Sequence, residues 1–320
     1  MFNTLTRMGA SAAGAYEIER SARFNSAQSA VKLSRTFGTN SSDTTKTLSF
    51  WLKRAKLSST QTIFATTSDG FIESRLDLLS DDSIQFADRD SSSGSSDIVK
   101  NTSRKFRDPS SWYHIVLTID TTNGTAGDRA RLYTNGVRET SFASSTDPAS
   151  SYAVSFFRSS VDNFIGANSS SNWFDGYLAE VHFVDGIALD ASSFGETNSD
   201  TGQWVPKRYG GAHGTNGFYL SFKDNSSTGN MFVDDSANSN NWSHHNMTNA
   251  AGDGNDSKTD TPTSNKATIS SLTNFTEDAT LTDGNLKLSG SAGFKNMSTI
   301  GFAGTSKFYY ESVRTSAAGW

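Results

Sequence analysis

Cleaving a glycosidic bond takes two carboxyl groups, one giving a proton to the leaving oxygen and the other acting as nucleophile or base. The sequence offers Glu73 with Asp77, on one face of the stretch FIESRLDLL, and Glu180 in YLAEVHF. A glutamate, aspartate, glutamate alternation along one strand, which would line three carboxylates on a single face, is absent. Positions at a sheet edge or facing solvent account for these residues, so none is assigned to catalysis and the chain is expected not to be an enzyme. Histidine makes no stronger case. His114 and His182 alternate with apolar residues, and the adjacent His244 and His245 point apart on an extended chain instead of converging on a metal. Calcium prefers oxygen-rich loops. Asp253, Asn255 and Asp256 in DGND, and the pair Asp234 and Asp235, supply oxygens without completing a ligand loop, so calcium is an option and no cofactor is required. Sugar recognition joins an aromatic ring that stacks on the pyranose to amides and carboxylates that bond hydroxyls. Asn172, Trp173 and Asp175 in SSSNWFDG bring these types together on a loop leading into a strand, whereas Trp112 reads as core.

The elements that must position these residues are strands. More than a quarter of the chain is serine or threonine, types that favour turns and strands over helix interiors, while 22 Phe supply bulk for a core. Leu48, Phe50 and Leu52 share one face opposite Ser49, Trp51 and Lys53, and Tyr113, Ile115, Leu117 and Ile119 share one opposite His114 and Thr118. By the same period of two, Tyr177, Ala179, Val181 and Phe183 should line one face, with Leu178, Glu180, His182 and Val184 on the other. Phe218, Leu220 and Phe222 mark a further strand. Asn135-Gly136 and Asp283-Gly284 are tight-hairpin pairs. Many short strands with polar turns predict an all-β fold, two antiparallel sheets packed face to face.

The chain divides into four segments. Residues 1–20 are small and weakly apolar, with Phe2, Leu5, Met8 and Tyr16 spaced along an arm that would order against a partner. Residues 21–222 form the sandwich. Residues 223–265 read as an irregular polar connector lying over it, in which only Met231, Phe232, Val233, Trp242 and Met247 can bury. Residues 266–320 begin a second β module, including SKFYYESV, too short to stand alone.

Composition narrows the partners. Without cysteine there is no disulfide or thiolate site, and a net charge of -5 argues against a nucleic-acid-binding surface. No apolar run reaches a membrane span, so no membrane insertion is expected, and the opening twenty residues lack the apolar stretch of a secretory signal.

The segments LSFWLKRAKL, RDPSSWYHIVLTIDTTNGTAGDRARLYTNGV, NWFDGYLAEVHFVDGIALDASSFGE and NGFYLSFKDNS resemble the laminin-G-like, concanavalin A-like lectin modules of marine bacteriophage structural proteins. The opening MFNTLTRMGASAAGAYEIERS resembles the peptide that precedes such modules, and DTPT at 260–263 resembles the stretch found on their C-terminal side. The resemblance covers residues 1 to about 226, and the final SKFYYESVRTSAAGW resembles the opening strands of a SPRY-like sandwich. It implies a jelly-roll sandwich on the exterior of a phage particle, anchored through its arm to other tail or capsid proteins, oligomeric and by preference trimeric. A tail fibre or appendage that binds host surface polysaccharide is the first expectation. A capsid decoration or head fibre is the second, and a particle-borne glycoside hydrolase the rival from another class.

Overall fold

A computed structural model describes residues 16–28, 30–38, 42–68, 71–89, 97–252, 254–270, 272, 280–289 and 297–300. Two eight-stranded sheets dominate, and their strand pairings are antiparallel. The first sheet runs in the spatial order Val137–Arg138, Ala130–Thr134, Trp112–Asp120, Thr45–Arg54, Gly176–Asp185, Ser21–Phe24, Ser257–Lys258, with Phe218–Leu220 also paired to Gly176–Asp185. The second runs Phe142–Thr146, Ile98–Thr102, Ile84–Asp88, Phe71–Leu78, Gln61–Ser68, Asp162–Ile165, Lys32–Thr36, Ser243–His245. The expected antiparallel sandwich is therefore what the chain forms.

Leu48, Phe50, Leu52, Ile115, Leu117 and Ile119 face inward as their alternation predicts, with Tyr113 packed beside them. Between the sheets Phe157 meets Phe37, Phe64, Phe156, Phe183, Phe218 and Trp242 at ring-centre distances of 4.4 to 6.3 Å. Asn135 and Gly136 have φ of 48° and 79°, the left-handed values a tight hairpin of this type needs. A Cβ on Gly136 would stand 2.4 Å from the Trp204 ring, so the turn and the packing above it both require glycine.

One alternation fails. Register across Gly176–Asp185 slips between Ala179 and His182, and Glu180 takes φ 50°. This one-residue bulge flips the pattern: Leu178, Val181 and Phe183 enter the main core, while Tyr177, Ala179 and Val184 lie on the opposite face.

The first sheet is also covered on its outer face. Ile18, Trp51, Trp112, Tyr177 and Ala179 form one cluster there, and Val116, Tyr133, Val184, Ala191 and Phe194 another, with Trp204 touching both. The cover includes residues 16–20, where the Ile18 N–H donates to Thr263 Oγ1 at 3.0 Å and that hydroxyl donates back to the Ile18 carbonyl. Trp112 is thus buried on the outer side, its Nε1–H donating to Asp260 Oδ1 at 3.1 Å.

Residues 223–265 do more than connect. Met231, Phe232, Trp242 and Met247 enter the main core, Ser243–His245 extends the second sheet and Ser257–Lys258 the first, whereas Val233 stays exposed. The polar composition that suggested a connector serves its turns, as where Asp234 accepts from the backbone N–H groups of Tyr219, Ser236 and Asn240. Beyond residue 265 a hairpin pairs Thr280–Thr282 with Lys287–Ser289, its turn carrying positive φ at Asp283, Gly284 and Asn285. SKFYYESV lies outside the described residues.

Buried charges fasten the cover. Lys53, with no exposed side-chain surface, donates to Asp260 Oδ2 at 2.7 Å, and Arg23 pairs with Asp256 at 3.0 Å. Removing one partner of such a pair leaves an uncompensated charge and costs about 3–5 kcal/mol. Asp260→Ala should lower unfolding stability by about that amount in urea titration, because it strands Lys53 and takes the acceptor from Trp112. A loss under about 1 kcal/mol would show the pair to be solvated.

Candidate functional site

The three candidate carboxylates are buried, not at an exposed edge, and each is held by its own partners. Glu73 grips Arg158 through two bonds of 2.6 and 2.7 Å. Asp77 accepts from Thr62 Oγ1 at 2.7 Å, and Arg75 Nε stands 3.0 Å from its other oxygen without hydrogen-bond alignment. Burial pushes the Asp77 carboxyl up to about 6. Glu180 belongs to the other sheet and takes hydroxyl donors from Tyr16 at 2.6 Å and Tyr219 at 2.7 Å, one on each oxygen. Glu73 and Asp77 therefore form no acid and base pair with Glu180 across a common cleft.

Tyr16, expected as part of a free anchoring arm, is instead fixed to the body by that bond to Glu180 and a 3.0 Å contact with Tyr219 Oη. Phe2, Leu5 and Met8 lie outside the described residues. The corrected boundary follows from Glu180: a buried carboxylate needs donors, and Tyr16 is one.

His114 is stacked against Trp51 at 4.8 Å and Trp204 at 5.9 Å, bonded to Ser49 through Nε2 and to Trp204 Nε1–H through Nδ1. Burial, with the charge of His182 adding, pushes it down to about 3, so it is a neutral packing group. His244 and His245 do point apart, toward the Phe232 ring and Ser34 Oγ respectively. His182 and His213 were not expected to meet: their rings stack at 5.5 Å with Nδ1 of one 3.1 Å from Nε2 of the other. Nothing in the spacing of two residues 31 positions apart signals this.

The residues considered for calcium are engaged elsewhere. Asp256 is held by Arg23 and by the Thr248 N–H, Asn255 accepts from the Ser257 N–H, and Asp253 is outside the described residues. Asp235 accepts from Ser221 and pairs with Lys223. Among the described residues no three His, Cys, Asp or Glu groups are placed to hold a metal ion.

The saccharide trio is split. Asn172, at φ 52°, uses its carbonyl to accept the Thr62 N–H at 2.7 Å. Trp173 is half-buried with the Lys32 ammonium 5.9 Å from its ring centre. Asp175 instead lines a cleft of about 690 Å³ at the end of the sandwich, closed on one side by the Thr280–Thr282 hairpin. Ser26, Lys56, Ser58, Asp82 and Arg107 line it too. Ser26 Oγ donates to Asp175 Oδ2 at 2.6 Å, and burial raises the Asp175 carboxyl above its usual range. Asp82 is filled by Arg54, Arg107 and the Ser58 N–H, all within 3.0 Å. Lys56 is exposed at the rim. Lys56, Asp82 and Arg107 escaped sequence reasoning because they come from separate loops with no shared motif.

Two antiparallel sheets packed face to face, with a cleft at one end, define a β-sandwich module. The profile of the concanavalin A-like lectin/glucanases superfamily matches residues 25–193, more than half of the sequence, and the chain belongs to that family. Similar solved structures include a heptameric SAP-like pentraxin from Limulus polyphemus, at 15% identity over 60% of this chain and 94% of that one, TM-score 0.42. Domain 4 of a GH43 extracellular arabinanase from Geobacillus stearothermophilus, in complex with arabinotriose, aligns at 18% identity over 49% and 67%, TM-score 0.34. Domains LG4-5 of the mouse laminin alpha1 chain align at 9% identity over 54% and 44%, TM-score 0.37. No curated protein matches the chain.

The buried titrating groups act against one another. His114 and His213, pushed down by burial to about 3 and about 4, stay neutral where the unfolded chain takes up protons near its ordinary value of 6.5, so they remove stability as pH falls. Asp77 and Asp88, pushed up by burial to about 6, hold protons that the unfolded chain releases above its ordinary 3.8, so they add stability as pH falls from about 6 toward 4. Asp77→Asn removes one of the two opposing contributions. Its urea stability should drop between pH ~7 and ~4.5 by about 2 kcal/mol more than that of the unaltered protein. Parallel pH profiles for the two would show that Asp77 titrates normally.

Proposed function

We propose that the protein is a non-catalytic lectin-like module on the exterior of a bacteriophage particle, a tail fibre or appendage that binds surface polysaccharide through the cleft beside Asp175. The observation that carries the binding reading is the contrast between the two kinds of site. Every candidate catalytic carboxylate is locked into internal bonds, whereas the 690 Å³ cleft is open and its rim presents Lys56 and Ser58. A cleft of that volume has the size of an oligosaccharide site. The particle assignment, the trimer and the attachment through residues 1–15 rest on the resemblance of the opening sequence. Consistent with it, residues 16–20 are pinned to the sandwich, so the preceding peptide starts from a fixed point. Capsid decoration is the second reading, favoured by the same resemblance.

On a glycan array the full chain should retain particular polysaccharides, and Lys56→Ala or Asp175→Asn should weaken retention about tenfold, the effect of one to two hydrogen bonds. Incubation with a retained polysaccharide should release no new reducing ends. Release abolished by Glu73→Gln or Glu180→Gln, in variants shown to be folded, would make the protein a glycoside hydrolase. Gold-labelled antibody on purified particles distinguishes tail from shell, and light scattering tests for three copies of the 34.5 kDa chain.

A further inference from the structure

At the other end of Gly176–Asp185, roughly 20 Å from the cleft at about 3.3 Å per residue, a pocket of about 190 Å³ opens over the covered face of the first sheet. Tyr16, Tyr209 and Tyr219 line it together with His213, Arg208 and the Gly210-Gly211 pair. Its walls are fixed. The His182 ring lies 4.1 Å from Tyr219 and only 6° from parallel, and the bulged Glu180 clamps the hydroxyls of Tyr16 and Tyr219. Bulges often re-aim a side chain beside a site, and Glu180 holds the positive φ that a non-glycine residue adopts only under constraint. Gly211 has a local reason: a Cβ there would stand 2.4 Å from Tyr209 Oη, which folds back to donate to the Ala212 carbonyl at 3.0 Å.

The charges around this pocket are unequally engaged. Glu180 is capped by two hydroxyls, Asp235 is paired with Lys223 at 3.3 Å and accepts from Ser221, and Asp234 accepts backbone N–H groups. Arg208 is different. It is exposed and held with its guanidinium carbon 5.0 Å from the Tyr16 ring centre, and among the described residues no carboxylate pairs with it. The planar guanidinium presents a fork of donors that matches a carboxylate, and stacking on an aromatic ring fixes that fork without neutralising it. His213, bonded through Nε2 to His182, has its ring centre 5.1 Å from that of Tyr209 and 6.3 Å from that of Tyr219.

We propose that this pocket binds a single acidic sugar ring, with Arg208 receiving the carboxylate and the tyrosyl walls taking the apolar face of the pyranose. The volume suits one ring and excludes a chain threaded through it, so the ligand is a terminal residue or a free sugar acid. The proposal does not depend on the cleft near Asp175. Failure of either site leaves the other standing.

Ligand-observed NMR titration of the full chain with glucuronate, glucose and acetate tests it. Glucuronate should bind at least about tenfold more tightly than either glucose or acetate, since a charged hydrogen-bonded pair contributes about 1.5–3 kcal/mol. Arg208→Gln should remove that preference without moving the melting temperature, and Arg208→Lys should restore only part of it. Equal binding of glucose would overturn the role of Arg208, and equal binding of acetate would overturn ring recognition. Binding that is lost in Lys56→Ala but kept in Arg208→Gln would place the sugar acid in the cleft, and no binding of glucuronate at about 50 mM would refute the site, since the charged pair alone corresponds to a Kd of about 6–80 mM and the ring contacts add to it.

Discussion

Burying the first sheet on both faces imposes a demand that shapes most of this molecule: polar groups on its outer side must find partners inside protein instead of water. An unpaired buried charge costs several kcal/mol, so the segments that cover the sheet have to bring complementary groups. Residues 256–263 bring Asp256 to Arg23 and Asp260 to Lys53, and residues 16–18 bring the Tyr16 hydroxyl to Glu180. The short strand Trp204–Pro206 supplies the indole N–H that His114 accepts. Segments far apart in sequence are thus joined through the outer polar side chains of the same sheet.

This demand also explains how much of the fold could be read from the residues. Where a strand pairs regularly, the period of two in Leu48 to Leu52 and in Tyr113 to Ile119 located the inner face correctly. At Glu180 the same rule gave the wrong face for Val181 and Phe183 relative to Tyr177, since a bulge inserts one residue and periodicity carries no mark of it. The cover itself was hidden for a different reason. Its buried groups are Asp, Arg, Lys and Tyr, which a sequence reading assigns to solvent, and only the tertiary pairing makes burial affordable. The polar run 223–265 concealed a contribution to both sheets in the same way.

The candidate site was legible only in fragments. Asp175 lines the cleft as a loop residue preceding a strand can, but Asn172 and Trp173 do not: the Asn172 main-chain carbonyl accepts the Thr62 N–H, and Trp173 lies near Lys32. Lys56, Asp82 and Arg107 converge from separate loops, and Arg208 meets Tyr16 across 192 positions, separations at which local pattern says nothing. Of the carboxylates that looked available for hydrolysis, Glu73 and Glu180 have both oxygens engaged inside the fold, and Asp77 has one.

The hairpin after residue 265 is not hung on a loose tether. Its tip packs against the sandwich, where Tyr177 Oη donates to the Gly284 carbonyl at 2.6 Å, Arg23 to that of Asp283 at 3.1 Å, and Asn285 Nδ2 to that of Ala55 at 2.7 Å. Arg23 is the same side chain that pairs with Asp256. Force applied at this hairpin therefore falls on several bonds at once, at a point already braced by a buried ion pair. The hairpin and the sandwich are thereby fastened as one unit at this edge.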